Sequence, residues 1–189
     1  SEIYIVVGYM KEKFFYLEKK YGVRLIVNNE FGKKGNLYSL YMARQYLNNT
    51  YVCCADHYFL ENPFAELDDR NVSYRACTFQ KGKFREFAVK VSDANVITNV
   101  TVGGNDSMAM VGHAYMNEQF STVFRNLMEK EIDDFRIASM FWEEFYAKHI
   151  KEVTFYKKEY AINQILEFDN IEDLRDFDSE FLLNVDSEI

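Results

Sequence analysis

The chain has 189 residues, of which 48% are hydrophobic, 28% charged and 17% aromatic, with 17 Phe, 14 Tyr, eight Gly and one Pro. The aromatic load excludes low-complexity disorder, and the scarcity of Gly and Pro excludes collagen-like and linker-like chains. The net charge of −8 is uneven: Glu167 to Ile189 holds nine acids against Arg175 alone, while residues 1–166 balance 21 acids with 21 bases. A neutral body argues against a broad nucleic-acid-binding face, and the acidic end is expected to serve solubility alone. The longest apolar stretch, Ile3 to Met10, is broken by Gly8 and far too short to span a bilayer, and no basic-then-apolar leader opens the chain. A soluble cytoplasmic protein of one domain, without a membrane or nucleic-acid partner, is the expectation. Cys53, Cys54 and Cys77 are odd in number and lack CxxC or zinc-ligand spacing, so they read as reduced core cysteines and no structural metal cluster is expected.

Ile3 to Val7 is a β-branched and aromatic run closed by Gly8, which suits a strand of a parallel sheet. From Met10 to Tyr21, Phe14, Leu17 and Tyr21 recur at helical spacing and predict a buried stripe, with Gly22 as the stop. Val23 to Val27 is a second strand, completing a βαβ unit. A loop from Asn28 to Asn36 leads into a helix from Leu37 to about Leu47, with Asn36 as its expected cap. Thr50 to Asp56 is the third strand. Its apolar body ends in Asp56 and His57, and side chains at the carboxyl end of a strand in an open α/β sheet face the ligand crevice. One helical turn is expected at Asn62 to Asp69, with Pro63 at its first position after Asn62.

From Ser73 to Met116 the pattern shifts to strands near 73–79, 86–91, 96–102 and 108–115, with turn signals at Lys81-Gly82, Asp93 to Asn95 and Gly103 to Asn105. The second half of the sheet therefore turns antiparallel or mixed. Helices follow at Glu118 to Lys130 and Ile137 to His149, then a strand at Val153 to Tyr156. A last strand precedes a helix capped by Asp169 or Asn170, with Ile171, Leu174 and Phe177 as its expected buried stripe.

The strings IVVGYMKEKFFYLEKKYGVRLIVN, GNLYSLYMARQYL and TYVCCADHYFLENPF occur in that order, followed by MFWEEF at Met140 to Phe145 and EFDNIEDLRDFD at Glu167 to Asp178. Together they resemble the bacterial CTP:phosphocholine cytidylyltransferases and neighbouring small nucleotidyltransferases. The resemblance covers essentially the whole chain in element order. It implies a nucleotide-diphospho-sugar transferase-like, Rossmann-like α/β fold: a mixed, mostly parallel sheet flanked by helices. It also implies cytidylyl transfer from an NTP, CTP above others, to a phosphorylated small molecule with release of pyrophosphate, and Mg²⁺ as cofactor. The metal ligands it implies are Asp56, also the catalytic acid, and Glu143 beside Trp142. Asn36 and Ser39 fall on the stretch that approaches the nucleotide base. His57, as the residue after the key acid, is a candidate substrate contact, a lone histidine being more often surface or structural. Hard Mg²⁺ suits one or two carboxylates plus phosphate oxygens.

The chain also departs from this pattern. The family opens with a strand and a glycine-rich G-x-G-x-R loop that cradles the triphosphate. The sequence begins at what matches the second strand, so the first βα unit, about 30 residues or more, is expected to be absent, with poor NTP binding and turnover by the chain alone. A strand edge left open in this way invites a homodimer. Where the family often has Asp-x-Asp, this chain has Cys54-Ala55-Asp56. The aromatic positions associated with a choline trimethylammonium fall at Glu86 and Met116, which argues against phosphocholine itself and leaves Glu86 to attract a cationic amine. Two other readings stay open: a non-catalytic binding domain of the same fold, and a sugar-1-phosphate nucleotidyltransferase.

Overall fold

The computed structural model describes residues 2–64 and 71–180. Strands β1 (Tyr4–Val7) and β2 (Arg24–Val27) pair in parallel, joined through a 3-10 turn at Lys11–Phe14 and the short helix α1 (Tyr16–Tyr21). Helix α2 (Asn36–Met42) and a 3-10 turn at Arg44–Tyr46 lead to β3 (Thr50–Cys53), followed by β4 (His57–Phe59). Two long strands, β5 (Tyr74–Val91) and β6 (Ile97–Met116), then fold back on each other in antiparallel register with several bulges. Helices α3 (Glu118–Glu131), α4 (Phe135–Ala138) and α5 (Trp142–Lys148) precede β7 (Tyr156–Glu159), β8 (Ile165–Glu167) and α6 (Ile171–Phe177).

The main sheet runs β3-β6-β5-β7, antiparallel except for the parallel β5–β7 pair, and β4 pairs with β8 in a separate two-stranded ribbon. The α/β class with a mixed sheet follows the expectation, with parallel pairing confined to β1–β2 and β5–β7 among the described residues. The four short strands expected between 73 and 115 are halves of β5 and β6, bent at Gly82 and Gly103. The single helix expected from Ile137 to His149 is broken into α4 and α5 around Ser139 to Phe141.

The core lies between the main sheet and the helices. Leu37 and Leu40 of α2, Phe120, Phe124 and Met128 of α3, and Trp142, Phe145 and Tyr146 of α5 pack on Ile97, Met110, Met116 and Phe155. Each such side chain contributes about 1.5–3 kcal/mol by leaving water. Gly35 docks α2 onto this core: its N–H donates to Ala138 O at 2.9 Å and Leu37 N–H to Met140 O at 3.2 Å. A Cβ at Gly35 would stand 2.2 Å from Met140 O, so only glycine allows this approach. Among the described residues, no helix is long and apolar enough to cross a membrane.

Two expected stripes are not buried. Helix α1 holds no buried residue; Phe14 and Tyr21 are exposed, the latter by 62%, and Leu17 is half-buried. On α6, Ile171 and Phe177 are exposed and Leu174 half-buried, although Phe177 packs on Tyr58 and Phe168 with centroids 5.0 and 5.3 Å away. The helical period marks an apolar face in both cases, and the described residues cover it only in part. The turn expected at Asn62 to Asp69 lies largely outside the described residues. Cys53, expected in the core, is exposed, while Cys77 is buried.

Candidate functional site

The end of β3 and the start of β4 place Asp56 in an exposed turn and His57 on the first residue of β4. The β4–β8 register sets His57 directly opposite Glu167, and Phe168 N–H donates to Asp56 O at 2.9 Å, tying the two segments together. Gly112 on β6 permits this arrangement. It sits in the left-handed region at φ 64°, and a Cβ there would meet Ile165 Cδ1 of β8 at 2.7 Å. Beneath the ribbon, Phe59 and Val111 pack on Ala76, Tyr160 and Ile165.

This geometry brings the carboxylates of Asp56, Glu167 and Asp169 together, with ligand atoms all within 4.8 Å of one another. The His57 side chain, 5% exposed, lies between two of them: Nδ1 is 3.7 Å from Asp56 Oδ1 and Nε2 is 3.8 Å from Glu167 Oε2. Hydrogen bonding to His57 holds the Glu167 carboxyl below the usual range, against the opposing effect of its partial burial. Asp169 is pushed above its usual value, chiefly by the charge of Glu167, with burial, Asp56, Asp173 and Glu86 adding to it. Crowded like charges of this kind favour a proton or a cation between them.

The expected site residues divide accordingly. Asp56 stands in the cluster. Glu143, expected as the second metal ligand, does not join it: its side chain is buried on α5, 5% exposed, with Oε1 3.6 Å from Arg75 Nη2. Burial outweighs the neighbouring guanidinium and pushes its carboxyl upward. Arg75 in turn donates from Nη1 to Val111 O at 2.7 Å and His113 O at 2.8 Å, so the pair ties α5 to the bulged part of β6 beside the site. The acids beside Asp56 are Glu167 and Asp169, which the sequence shows only as members of a solvated acidic end. The signal for them was the strand Ile165–Glu167 pairing with β4, a long-range register that periodicity does not reveal.

His57, expected to touch substrate, has its side chain buried between Asp56 and Glu167. Glu86 is exposed on β5 and lies close enough to Asp169 to raise its carboxyl, at the rim of the cluster. Asn36 is the first residue of α2, with Gly35 as the cap, and its Oδ1 accepts from Trp142 N at 2.8 Å, capping α5 instead. Ser39 Oγ accepts from Asn28 Nδ2 at 3.0 Å. Both are half-buried on α2, where they couple it to α5 and to the end of β2.

No family model matches the chain. It is 29% identical to a choline-phosphate cytidylyltransferase of Streptococcus pneumoniae over 93% of its own length and 76% of that protein. It is likewise 29% identical to a 2-aminoethylphosphonate cytidylyltransferase of Lancefieldella rimae over 96% of its length and 75% of that protein. In three dimensions it matches the CTP:phosphocholine cytidylyltransferase of Streptococcus pneumoniae with a TM-score of 0.85 at 28% identity, covering 94% of this chain and 77% of that one. A nucleoside-diphosphate-sugar pyrophosphorylase of Vibrio cholerae shares the fold alone, with a TM-score of 0.68 at 12% identity over 94% of this chain and 80% of that one.

Proposed function

We infer that the chain is a nucleotidyltransferase of the cytidylyltransferase kind, moving a cytidylyl group from CTP to a phosphorylated small molecule with release of pyrophosphate. Its relatives are named for choline phosphate and for 2-aminoethylphosphonate, so the acceptor class proposed here is a small phosphate or phosphonate bearing an amine. The observation that carries the reading is the meeting of Asp56, Glu167 and Asp169 at the ends of β3 and β8, in a fold shared with a cytidylyltransferase.

In such a transfer an acceptor oxygen attacks the α-phosphorus in line as pyrophosphate leaves, and catalysis is mostly positioning and charge neutralisation. The donor set fits Mg²⁺: three carboxylates, hard oxygen ligands, exposed and crowded enough to raise Asp169. Asp56, Glu167 and Asp169 would hold Mg²⁺, which would supply positive charge to offset that of the phosphate oxygens. His57 fixes two of these acids from behind, which preserves the spacing as substrates enter. Glu86 at the rim attracts the ammonium end of the acceptor, and Asn36 and Ser39 border the nucleotide base from α2. A cytoplasmic setting accords with the three free cysteines. Association of two copies through the open edge of β3 is part of the same proposal.

Pyrophosphate release by the full-length protein, assayed with each NTP and a panel of phosphorylated amines and alcohols, tests the reading. CTP is expected to be preferred, with Asp56→Ala and Asp169→Asn each lowering kcat/KM about a hundredfold or more. Full activity in Asp56→Ala removes the metal assignment, and release from sugar 1-phosphates alone removes the acceptor class.

A further inference from the structure

We propose that Cys54, Asp56 and His57 form a second metal site, of borderline-soft character, that takes Zn²⁺ and shares Asp56 with the carboxylate cluster. One ligand atom from each residue lies within 4.8 Å of the other two. The set offers sulfur, oxygen and nitrogen, a combination that selects zinc over Mg²⁺, whose preference is for oxygen alone. Three protein ligands with the exposed carboxylate on one side leave a fourth position for water or a substrate oxygen.

The histidine supplies an independent sign of a ligand. Its side chain is more than nine-tenths buried, and Nδ1 has no hydrogen-bond partner although it points toward Asp56 at 3.7 Å. The opposite ring nitrogen, Nε2, faces Glu167 Oε2 at 3.8 Å. A ligating imidazole ordinarily turns its other N–H to a carboxylate, which fixes the tautomer and leaves the first nitrogen's lone pair for the metal. Glu167 stands on that side of the ring.

Cys54 is a free, half-buried cysteine. On binding a divalent ion its S–H bond breaks, the proton passes to solvent and the thiolate electron pair is donated to zinc. Because Asp56 belongs to both sites, zinc and Mg²⁺ exclude each other. This consequence, zinc inhibition of turnover, rests on the role given to Asp56 above, whereas zinc binding itself does not.

Titration of the metal-free chain with Co²⁺, a spectroscopic stand-in for zinc, is expected to give thiolate-to-cobalt charge-transfer absorption that zinc abolishes. Cys54→Ser removes the band, Cys53→Ser keeps it, and His57→Gln weakens zinc binding about tenfold or more. Circular dichroism confirms that each variant is folded. Over an alkylation long enough to label Cys54 of the metal-free chain, zinc is also expected to protect Cys54 of the unaltered chain, but not Cys53, as read by mass spectrometry, which decides the matter if a variant fails to fold. Absence of the band, its persistence in Cys54→Ser, or equal alkylation of Cys54 with and without zinc overturns the proposal. None of these readouts depends on whether the protein transfers a nucleotide.

Discussion

Thiol chemistry in this chain is governed by solvation of the sulfur. Burial pushes Cys54 up to about 12 and Cys77 to about 11, and for Cys54 the carboxylates of Glu143, Asp56 and Glu167 add to the effect. The thiolate is the nucleophile, so at pH 8 about one Cys77 in a thousand is reactive, and fewer for Cys54. Alkylation of the metal-free protein by iodoacetamide is therefore expected to be slow at both, and to rise about tenfold per pH unit until these values are reached. Rapid labelling of Cys77 at pH 8 in the folded protein contradicts this account. The position of Asp56 just past the end of β3 was legible from sequence, because a polar residue after an apolar run marks the rim of a sheet, although the strand itself stops at Cys53. The family resemblance implied Glu143 as a ligand, while its burial against Arg75 depends on a contact distant in the chain. Asn36 was placed at the right helix, but the N–H it caps is that of Trp142 on another.

Among the elements, α5 shows how a buried ion pair is used. Arg75 and Glu143 are both nearly excluded from solvent, and Arg75 also holds two carbonyls of β6 and lies 5.4 Å from the Trp142 ring. Glu143→Ala leaves a buried guanidinium without its countercharge and is expected to cost about 3–5 kcal/mol, whereas Glu143→Gln keeps shape and polarity and costs less. Urea denaturation of both variants checks the order, and equal losses argue that packing alone matters there. Element types were largely readable, since strand runs and the α3 stripe follow their periods. The burial of α1 and α6 was not, because a 3.6-residue period states which face is apolar and says nothing of what lies opposite it. The break between α4 and α5 escaped notice for a related reason: Ser139 to Phe141 bend around the glycine at position 35, and that approach belongs to the tertiary structure.

At the scale of the molecule, apolar surface and open backbone coincide at one end of the chain. Strand β3 is the edge of its sheet, β1 and β2 form a pair on their own, and Tyr9, Phe15, Tyr16 and Tyr21 are exposed nearby in sequence. Short two-stranded parallel pairs are poorly stable by themselves and open edges recruit strands, so the 189-residue chain is expected to associate reversibly as its concentration rises. Sedimentation velocity giving a single monomer boundary at high concentration contradicts this. At the opposite end, the β4–β8 ribbon has a kinetic meaning. Its two strands are distant in the chain and join only through a non-local contact, the kind that forms slowly. While synthesis is under way, Asp56 is still held apart from Glu167 and Asp169, and the three carboxylates crowd together only once β8 has zipped onto β4.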